Sequence, residues 1–348
     1  MEKRRYLELD ALRGLAAISV VFFHYTRPQN VSHIFSFGVT AVDLFFMISG
    51  FVIFMSINKI SSGKKFVINR ISRLYPTYWF CVIFAFAVMT FLKISKFPIN
   101  HIKIYSSWDF VANLTMFQLY FNVPNLDGPY WTLIVEMLFY ILILILFQLN
   151  LLKHITLIGC LINVLIIVNY YLVSNNYINN YTAYFPLLNH FPLFLAGIVF
   201  YKMAVTEIKK QGYLILLFCF ITQILIYQFL ESDPFFISQS EYCFILFIYF
   251  SLFVLFITNN LKFLVNKVTI FLGEISYALY LIHSYAFRGI IGFLQSHYHI
   301  PFWIATLFIV LPIVIVFAYL ITKFVERPYN KKLKYFLQNK FKAVPGLV

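Results

Sequence analysis

Apolar runs about 20 residues long recur along the chain, separated by short segments rich in Lys, Arg, Asn and Pro. A helix rises about 1.5 Å per residue, so roughly 20 apolar residues cross the ~30 Å hydrocarbon core of a bilayer. Ten runs meet that length: 7–27, 37–57, 75–94, 131–149, 154–173, 184–204, 213–230, 242–258, 269–288 and 302–322. The pattern predicts an all-α, polytopic membrane bundle of about ten transmembrane helices. The longest connection, about 95–130, contains the apolar stretch 109–121, too short to span and expected to lie along the surface. There is no internal repeat, low-complexity tract or second soluble domain. The chain reads as one integral-membrane domain over 1–348, with a core of about 7–327 and a basic tail from 328 to 348.

Composition agrees. Of 348 residues, 61% are hydrophobic and 11% charged, against roughly 45–50% and about 25% in ordinary globular domains. Mean hydropathy is +0.82. These values exclude a soluble globular enzyme, a disordered chain and a nucleic-acid binder. The net charge of +14 sits between the apolar runs, as membrane topology requires, rather than on one binding face. If both termini share a side, 21 of the 27 Lys and Arg lie on that side. Five lie opposite (Arg27, Lys93, Lys96, Lys103 and Arg288), and Arg13 is inside the first run. The acidic Glu231, Asp233 and Glu241 also fall opposite. Both termini are therefore expected in the cytoplasm, in a multi-pass protein of a bacterial-type inner membrane. The first run is not expected to be a cleaved signal peptide, because it carries Arg13 and His24 and ends at Thr26-Arg27-Pro28. The 43 Phe and 25 Tyr suit lipid-facing and packing positions. Cys81, Cys160, Cys219 and Cys243 lie inside apolar runs without metal-ligand spacing, and no metal site is expected.

Ionisable groups within spanning helices are costly, so each is a functional candidate beside its bland reading, a paired charge that locks helices. His24, Asp43, Glu136, His190 and His283 all fall near the outer ends of their runs, within roughly 10 Å of that surface at the helical rise. Two carboxylates and three imidazoles at one depth suit acid–base chemistry. The inner end carries Asp10 and Arg13, one turn apart, and Arg70 and Arg73, also one turn apart. Arginines three apart share a helical face and bind phosphate oxygens in bidentate fashion. Their bland reading is a positive-inside anchor. Arg13 and His24 are eleven residues apart, which returns to within about 20° of one direction and rises roughly 16 Å. A long, thin molecule with phosphates at one end and a reactive group at the other fits that face, and coenzyme A thioesters have this shape. Ser49-Gly50 permits close helix approach, the usual reason for such a pair in lipid.

Six segments in order resemble the membrane-bound acyltransferase 3 family of O-antigen, exopolysaccharide and nodulation-factor acyltransferases. They are Leu9-Asp10-Ala11-Leu12-Arg13-Gly14 with His24, Asp43-Leu44-Phe45-Phe46-Met47-Ile48-Ser49-Gly50-Phe51, Arg70-Ile71-Ser72-Arg73, Tyr130-Trp131-Thr132-Leu133-Ile134-Val135-Glu136, Ile275-Ser276-Tyr277-Ala278-Leu279-Tyr280-Leu281-Ile282-His283, and Glu326-Arg327-Pro328. Thr132 stands at the family's usual Ser position. No appended hydrolase domain of the SGNH type is expected after the last run.

The resemblance implies transfer of an acyl group, commonly acetyl, from cytoplasmic acyl-CoA to a hydroxyl of a cell-surface or lipid-linked saccharide. Acetyl-CoA or another acyl-CoA is then a donor substrate, with no resident cofactor. The partners are the saccharide or lipid-linked glycan and membrane lipid. On this reading Arg13, Arg70 and Arg73 hold donor phosphates. His24 is general base or acyl relay, and Glu136 orients or charge-stabilises it. Asp10, Asp43, Trp131, Tyr277 and His283 support these groups or face the acceptor. The competing expectation is a proton-coupled exporter of a small molecule or lipid-linked glycan, since carboxylates and histidines in lipid also build proton relays. Against it, the chain lacks the matching Gly/Pro-broken helices of inverted-repeat transporters.

Overall fold

The computed structural model describes residues 6–27, 33–94, 105–177, 184–205, 208–230 and 233–342. Lys3, Arg4, Arg5, Lys96, Lys103 and Glu231, counted above for topology, lie outside these residues, as does the tail beyond 342. Every regular element among the described residues is helical: α1 (Leu7–Thr26), α2 (Ala41–Ile57), α3 (Gly63–Ile94), α4 (Ser107–Asn113), α5 (Trp131–Gln148), α6 (Ile155–Ser174), α7 (Phe191–Ala204), α8 (Lys209–Leu225), α9 (Gln239–Ile257), α10 (Lys267–Ile282), α11 (Tyr285–Tyr298), α12 (Phe302–Ile304), α13 (Leu311–Ile321) and α14 (Arg327–Lys342), with short 3-10 turns between them. π-helical turns at Ala305–Val310 and Thr322–Glu326 join α12, α13 and α14 into one continuous helix.

Among the described residues six helical stretches are long and apolar enough to cross a membrane: Phe35–Ile57, Gly63–Ile94, Gly128–Gln148, Leu152–Ser174, Gln239–Ile257 and Phe302–Lys340. The other four expected spans also form helices, but each departs from the simple pattern. α1 carries Glu8, Asp10 and Arg13, and α7 and α8 are apolar but short. The run 269–288 is not one helix: α10 stops at Ile282 and α11 starts at Tyr285. α3 begins twelve residues before the expected 75. The stretch 109–121 forms the end of α4 and a 3-10 turn at Gln118–Phe121, with Leu119, Tyr120 and Phe121 exposed.

The chain divides into two compact units. The first comprises residues 1–60 and 134–273, and the second 61–133 and 274–348. The boundaries fall within α5, after Leu133, and within α10, after Gly273.

In the first unit α2 and α7 cross at glycines. A Cβ on Gly50 would lie 2.1 Å from the Phe194 carbonyl oxygen, and one on Gly197 would lie 2.1 Å from that of Met47. Only hydrogen fits at either position. Small residues allow this approach where lipid supplies no hydrophobic drive between helices. Phe139 stacks on Phe194 at 4.2 Å beside the crossing. A second close crossing sets α10 on α1, where a Cβ on Gly273 would lie 2.2 Å from the Asp10 carbonyl oxygen. α1 and α2 also pack directly on each other.

In the second unit α3 organises the packing. The carbonyls at the end of α4 lack partners along their own helix. Tyr75 and Tyr78 hydroxyls and the Trp79 indole donate to the carbonyls of Thr115 (2.9 Å), Asn113 (2.6 Å) and Leu114 (2.9 Å). The start of α4 carries a reciprocal cap between Ser106 and Asp109. The end of α4 is thereby fixed to α3.

Candidate active site

Two clusters of the first unit contain expected site residues. Glu136, in α5, is half-buried. Its Oε1 accepts hydrogen bonds from the Ser49 hydroxyl of α2 at 3.1 Å and from the Tyr140 hydroxyl one turn along α5. Hydroxyl donors compensate part of the loss of water around a carboxylate in an apolar helix. Ser49 is thus a carboxylate partner rather than only a small residue at a helix contact.

Asp43 lies in the first turn of α2 and is 0% exposed. Its Oδ2 accepts from the Tyr242 hydroxyl of α9 at 2.7 Å, and its Oδ1 lies 3.5 Å from His190 Nδ1. His190, just before α7, packs its ring on Phe46 at 4.8 Å. One carboxylate therefore ties α2, α9 and the entry to α7.

On α1, Arg13 pairs with Asp10 one turn back, Nη1 to Oδ1 3.6 Å, both largely buried. The pair sets a compensated cation at this end of the helix. His24 occupies the last turn, half-buried, with Nδ1 enclosed and its ring edge against Phe23 at 5.0 Å. The helical geometry places Arg13 and His24 on one side of α1, as their spacing predicts.

The second unit holds the others. Arg70 is only 8% exposed, its guanidinium over the Phe66 ring at 5.5 Å, while Arg73, one turn on, is exposed. The two arginines thus differ in environment although they share a helix face. The charge of Arg73 acts on Glu326, the last residue of the π-helical turn before α14. Arg327 pairs with Glu274 at 3.0 Å. The Tyr277 hydroxyl donates to the Leu74 carbonyl at 3.0 Å and so ties α10 to α3 next to Arg73. Trp131 is half-buried. Thr132 donates to the Pro129 carbonyl at 3.0 Å and meets the Tyr280 hydroxyl at 2.9 Å. His283 is 0% exposed, with Nδ1 2.9 Å and 3.2 Å from the carbonyls of Tyr280 and Leu279. A ring that caps the last turn of α10 explains why the helix ends there.

Asp127, which the sequence did not single out, is the remaining buried carboxylate of this region. Its oxygens accept from the backbone N–H of Gly128 (2.7 Å) and of Tyr285 (3.2 and 3.3 Å), and from the Ser284 side chain. It holds the break between α10 and α11, where the first N–H groups of α11 need an acceptor. Burial pushes its carboxyl up to about 6, against the opposing pull of these donors and of Arg288. The signal in the sequence was the turn tripeptide Asp127-Gly128-Pro129. Among the described residues no three His, Cys, Asp or Glu side chains gather as a metal ion would require.

Residues 6–323 match the family model Acyl_transf_3, described as an acyltransferase domain. The chain is 26% identical over 305 residues to the "Putative acetyltransferase ORF330" of Acidianus two-tailed virus, covering 84% of this chain and 88% of that protein. It is also 26% identical over 371 aligned residues to a "Putative O-acetyltransferase" of Staphylococcus aureus (strain COL). There the match covers 95% of this chain but 58% of the relative. A third relative, "Acyltransferase MdmB" of Streptomyces mycarofaciens, is 28% identical over 151 residues, 39% of this chain and 38% of that protein. No solved structure matches the chain. The match over nearly its whole length shows that the chain belongs to the acyltransferase 3 family.

Proposed function

We propose that this protein transfers an acyl group, most simply acetyl, from acyl-CoA to a hydroxyl of a cell-surface or lipid-linked saccharide, in a bacterial-type cytoplasmic membrane with both termini inside. The observation that carries acyl transfer is the family match over residues 6–323. The names of the viral and staphylococcal relatives favour acetyl, and the latter favour oxygen as acceptor. What supports the site is a carboxylate, Glu136, kept in an apolar helix by two hydroxyls.

In this reaction a base takes the proton of the acceptor hydroxyl as its oxygen attacks the thioester carbonyl. The C–S bond breaks, and the coenzyme A thiolate receives a proton. His24 is the base, since an imidazole changes charge near neutral pH. Glu136 stabilises the imidazolium that forms, the role of the acid in other base-assisted acyl transfers. Arg13, Arg70 and Arg73 take donor phosphates. Arg73 is the exposed, accessible contact, while the buried Arg70 supports it from the same helix. Asp10 orients Arg13 through their ion pair.

The contact of Asp43 with His190 is the observation that favours a proton-coupled exporter instead. Purified protein given acetyl-CoA and an acceptor glycan separates the two readings. Acetyl transfer that disappears in His24→Ala while the variant remains folded supports the acyltransferase. No binding or consumption of acetyl-CoA by the wild type contradicts it. Mass spectrometry of the cellular glycan before and after mild alkali names the acceptor, because an acetyl ester is alkali-labile.

A further inference from the structure

Two helices of the second unit are longer than a membrane needs. α3 has 32 residues, about 48 Å at the helical rise, and Phe302–Lys340 has 39, about 58 Å, against a hydrocarbon core of about 30 Å. Both surpluses lie at the same end. Phe84 of α3 meets Phe317 of α13 at 4.9 Å between ring centroids, and Arg73 of α3 acts on Glu326. The helices are therefore antiparallel in a steady register, and α14 packs against α3.

This surplus pair is strongly basic. α14 carries Arg327, Lys331, Lys332, Lys334, Lys340 and Lys342 and no acidic residue, and the first turn of α3 adds Lys64 and Lys65. The Lys323 ammonium lies over the rings of Tyr319 (5.7 Å) and Phe324 (5.4 Å), a long cation at the edge of the apolar run. Beyond it, Lys331 and Lys332 are exposed, and so are the rings of Tyr329, Tyr335 and Phe336.

Length decides which anion these groups can meet. Residues 302–321 are long enough to fill the core at about 30 Å. Lys331 to Lys334 then stand roughly 15–20 Å beyond Ile321, whereas the headgroup layer extends only about 5–8 Å. Their charge lies in water, past the lipid headgroups, where it raises the local concentration of a soluble anion.

We propose that α14, with the first turns of α3, is a capture site for the phosphorylated adenosine end of the acyl-CoA donor. Lys331, Lys332 and Lys334 take its phosphates, and Tyr335 and Phe336 offer ring faces to the adenine, a base–aromatic contact that combines well with nearby cations. The assignment rests on the acyl-CoA reading above and extends it to residues outside the family's matched segment, which ends at 323.

The test is equilibrium binding of coenzyme A, and of adenosine 3′,5′-bisphosphate alone, to full-length protein in phosphatidylcholine nanodiscs. A Lys331→Gln/Lys332→Gln/Lys334→Gln variant is compared with the corresponding Lys→Arg variant, all checked for equal thermal unfolding. The triple Gln variant should bind coenzyme A about tenfold more weakly, from three partly screened charge contacts. The Arg variant should bind as the wild type does, and wild-type affinity should fall as salt is raised. The KM for acetyl-CoA should rise more than kcat falls. Equal coenzyme A affinity in wild type and the Gln variant overturns the capture site and leaves the acyl-CoA reading standing. No coenzyme A binding by the wild type overturns both. If phosphatidylglycerol in the nanodiscs displaces coenzyme A from the wild type but is not retained by the Gln variant, the basic helices read lipid, and the proposal fails.

Discussion

Asp43 and Glu136 are both carboxylates in apolar helices of the first unit, and each accepts a tyrosine hydroxyl, yet their surroundings differ. Asp43 has no exposed surface, and an imidazole and a phenol from two other elements close around it. Glu136 stays half-buried, with only hydroxyls on the oxygen they share. A charge enclosed by fixed partners resists change, and breaking such a buried pair is costly. A charge with neutral partners and an open side can respond to a cation that forms beside it. The contrast suits a lock at the first and, on the proposed function, proton chemistry at the second, although both lie at the same depth along their runs.

The largest effect that breaks this contrast is loss of the carboxylate proposed to act in transfer. Glu136→Gln keeps an acceptor for Ser49 and Tyr140, so the fold should survive while transfer falls by about 10²–10⁴, the range for a group assisting proton transfer. Steady-state acetyl transfer with a thermal-unfolding control checks this. Next comes Asp43→Ala, which leaves His190 and Tyr242 without their common partner. It should cost about 3–5 kcal/mol of stability, read as a lower unfolding midpoint, while activity per folded molecule stays close to wild type.

Smaller effects sharpen the comparison. Ser49→Ala and Tyr140→Phe each remove one hydrogen bond to a charged group, worth about 1.5–3 kcal/mol, and should lower kcat/KM by roughly ten- to a hundredfold with little loss of fold. If they lower the unfolding midpoint as far as Asp43→Ala does, Glu136 is a lock too. The smallest effect concerns Asp127 in the second unit. Its carboxyl is raised from 3.8 to about 6 by burial, so the folded protein binds this proton more tightly than the unfolded chain. The resulting stability is fully present below about pH 4 and is lost as pH rises through about 6. Asp127→Asn should flatten that part of the unfolding-midpoint profile between pH 4 and 7. An unchanged slope would mean that Asp127 is not the titrating group.

Much of this was legible along the chain, because lipid makes the apolar run itself the structural unit. The first run, 7–27, became Leu7–Thr26, and Arg13 and His24 kept their helical phase. Where a distant residue intervenes, the run misleads. The break within 269–288 depends on His283 capping α10 and on Asp127, 158 residues before Tyr285, accepting the first N–H of α11. The site shows the same division. Glu136 could be named from its segment, and Tyr140 lies one turn away, but Ser49 is 87 residues distant, and only the α2 packing brings its hydroxyl there. Arg70 and Arg73 were found as a pair, but the burial of one and the exposure of the other come from packing that spacing does not encode.

The most direct measurement is acetyl transfer by Glu136→Gln and Asp43→Ala side by side, with each rate divided by the fraction of protein still folded in the same sample. The account predicts a loss of at least about a hundredfold for Glu136→Gln and a near wild-type rate for folded Asp43→Ala. Near wild-type transfer by Glu136→Gln, or a comparable loss in folded Asp43→Ala, would contradict it and move the chemistry to the Asp43–His190 cluster.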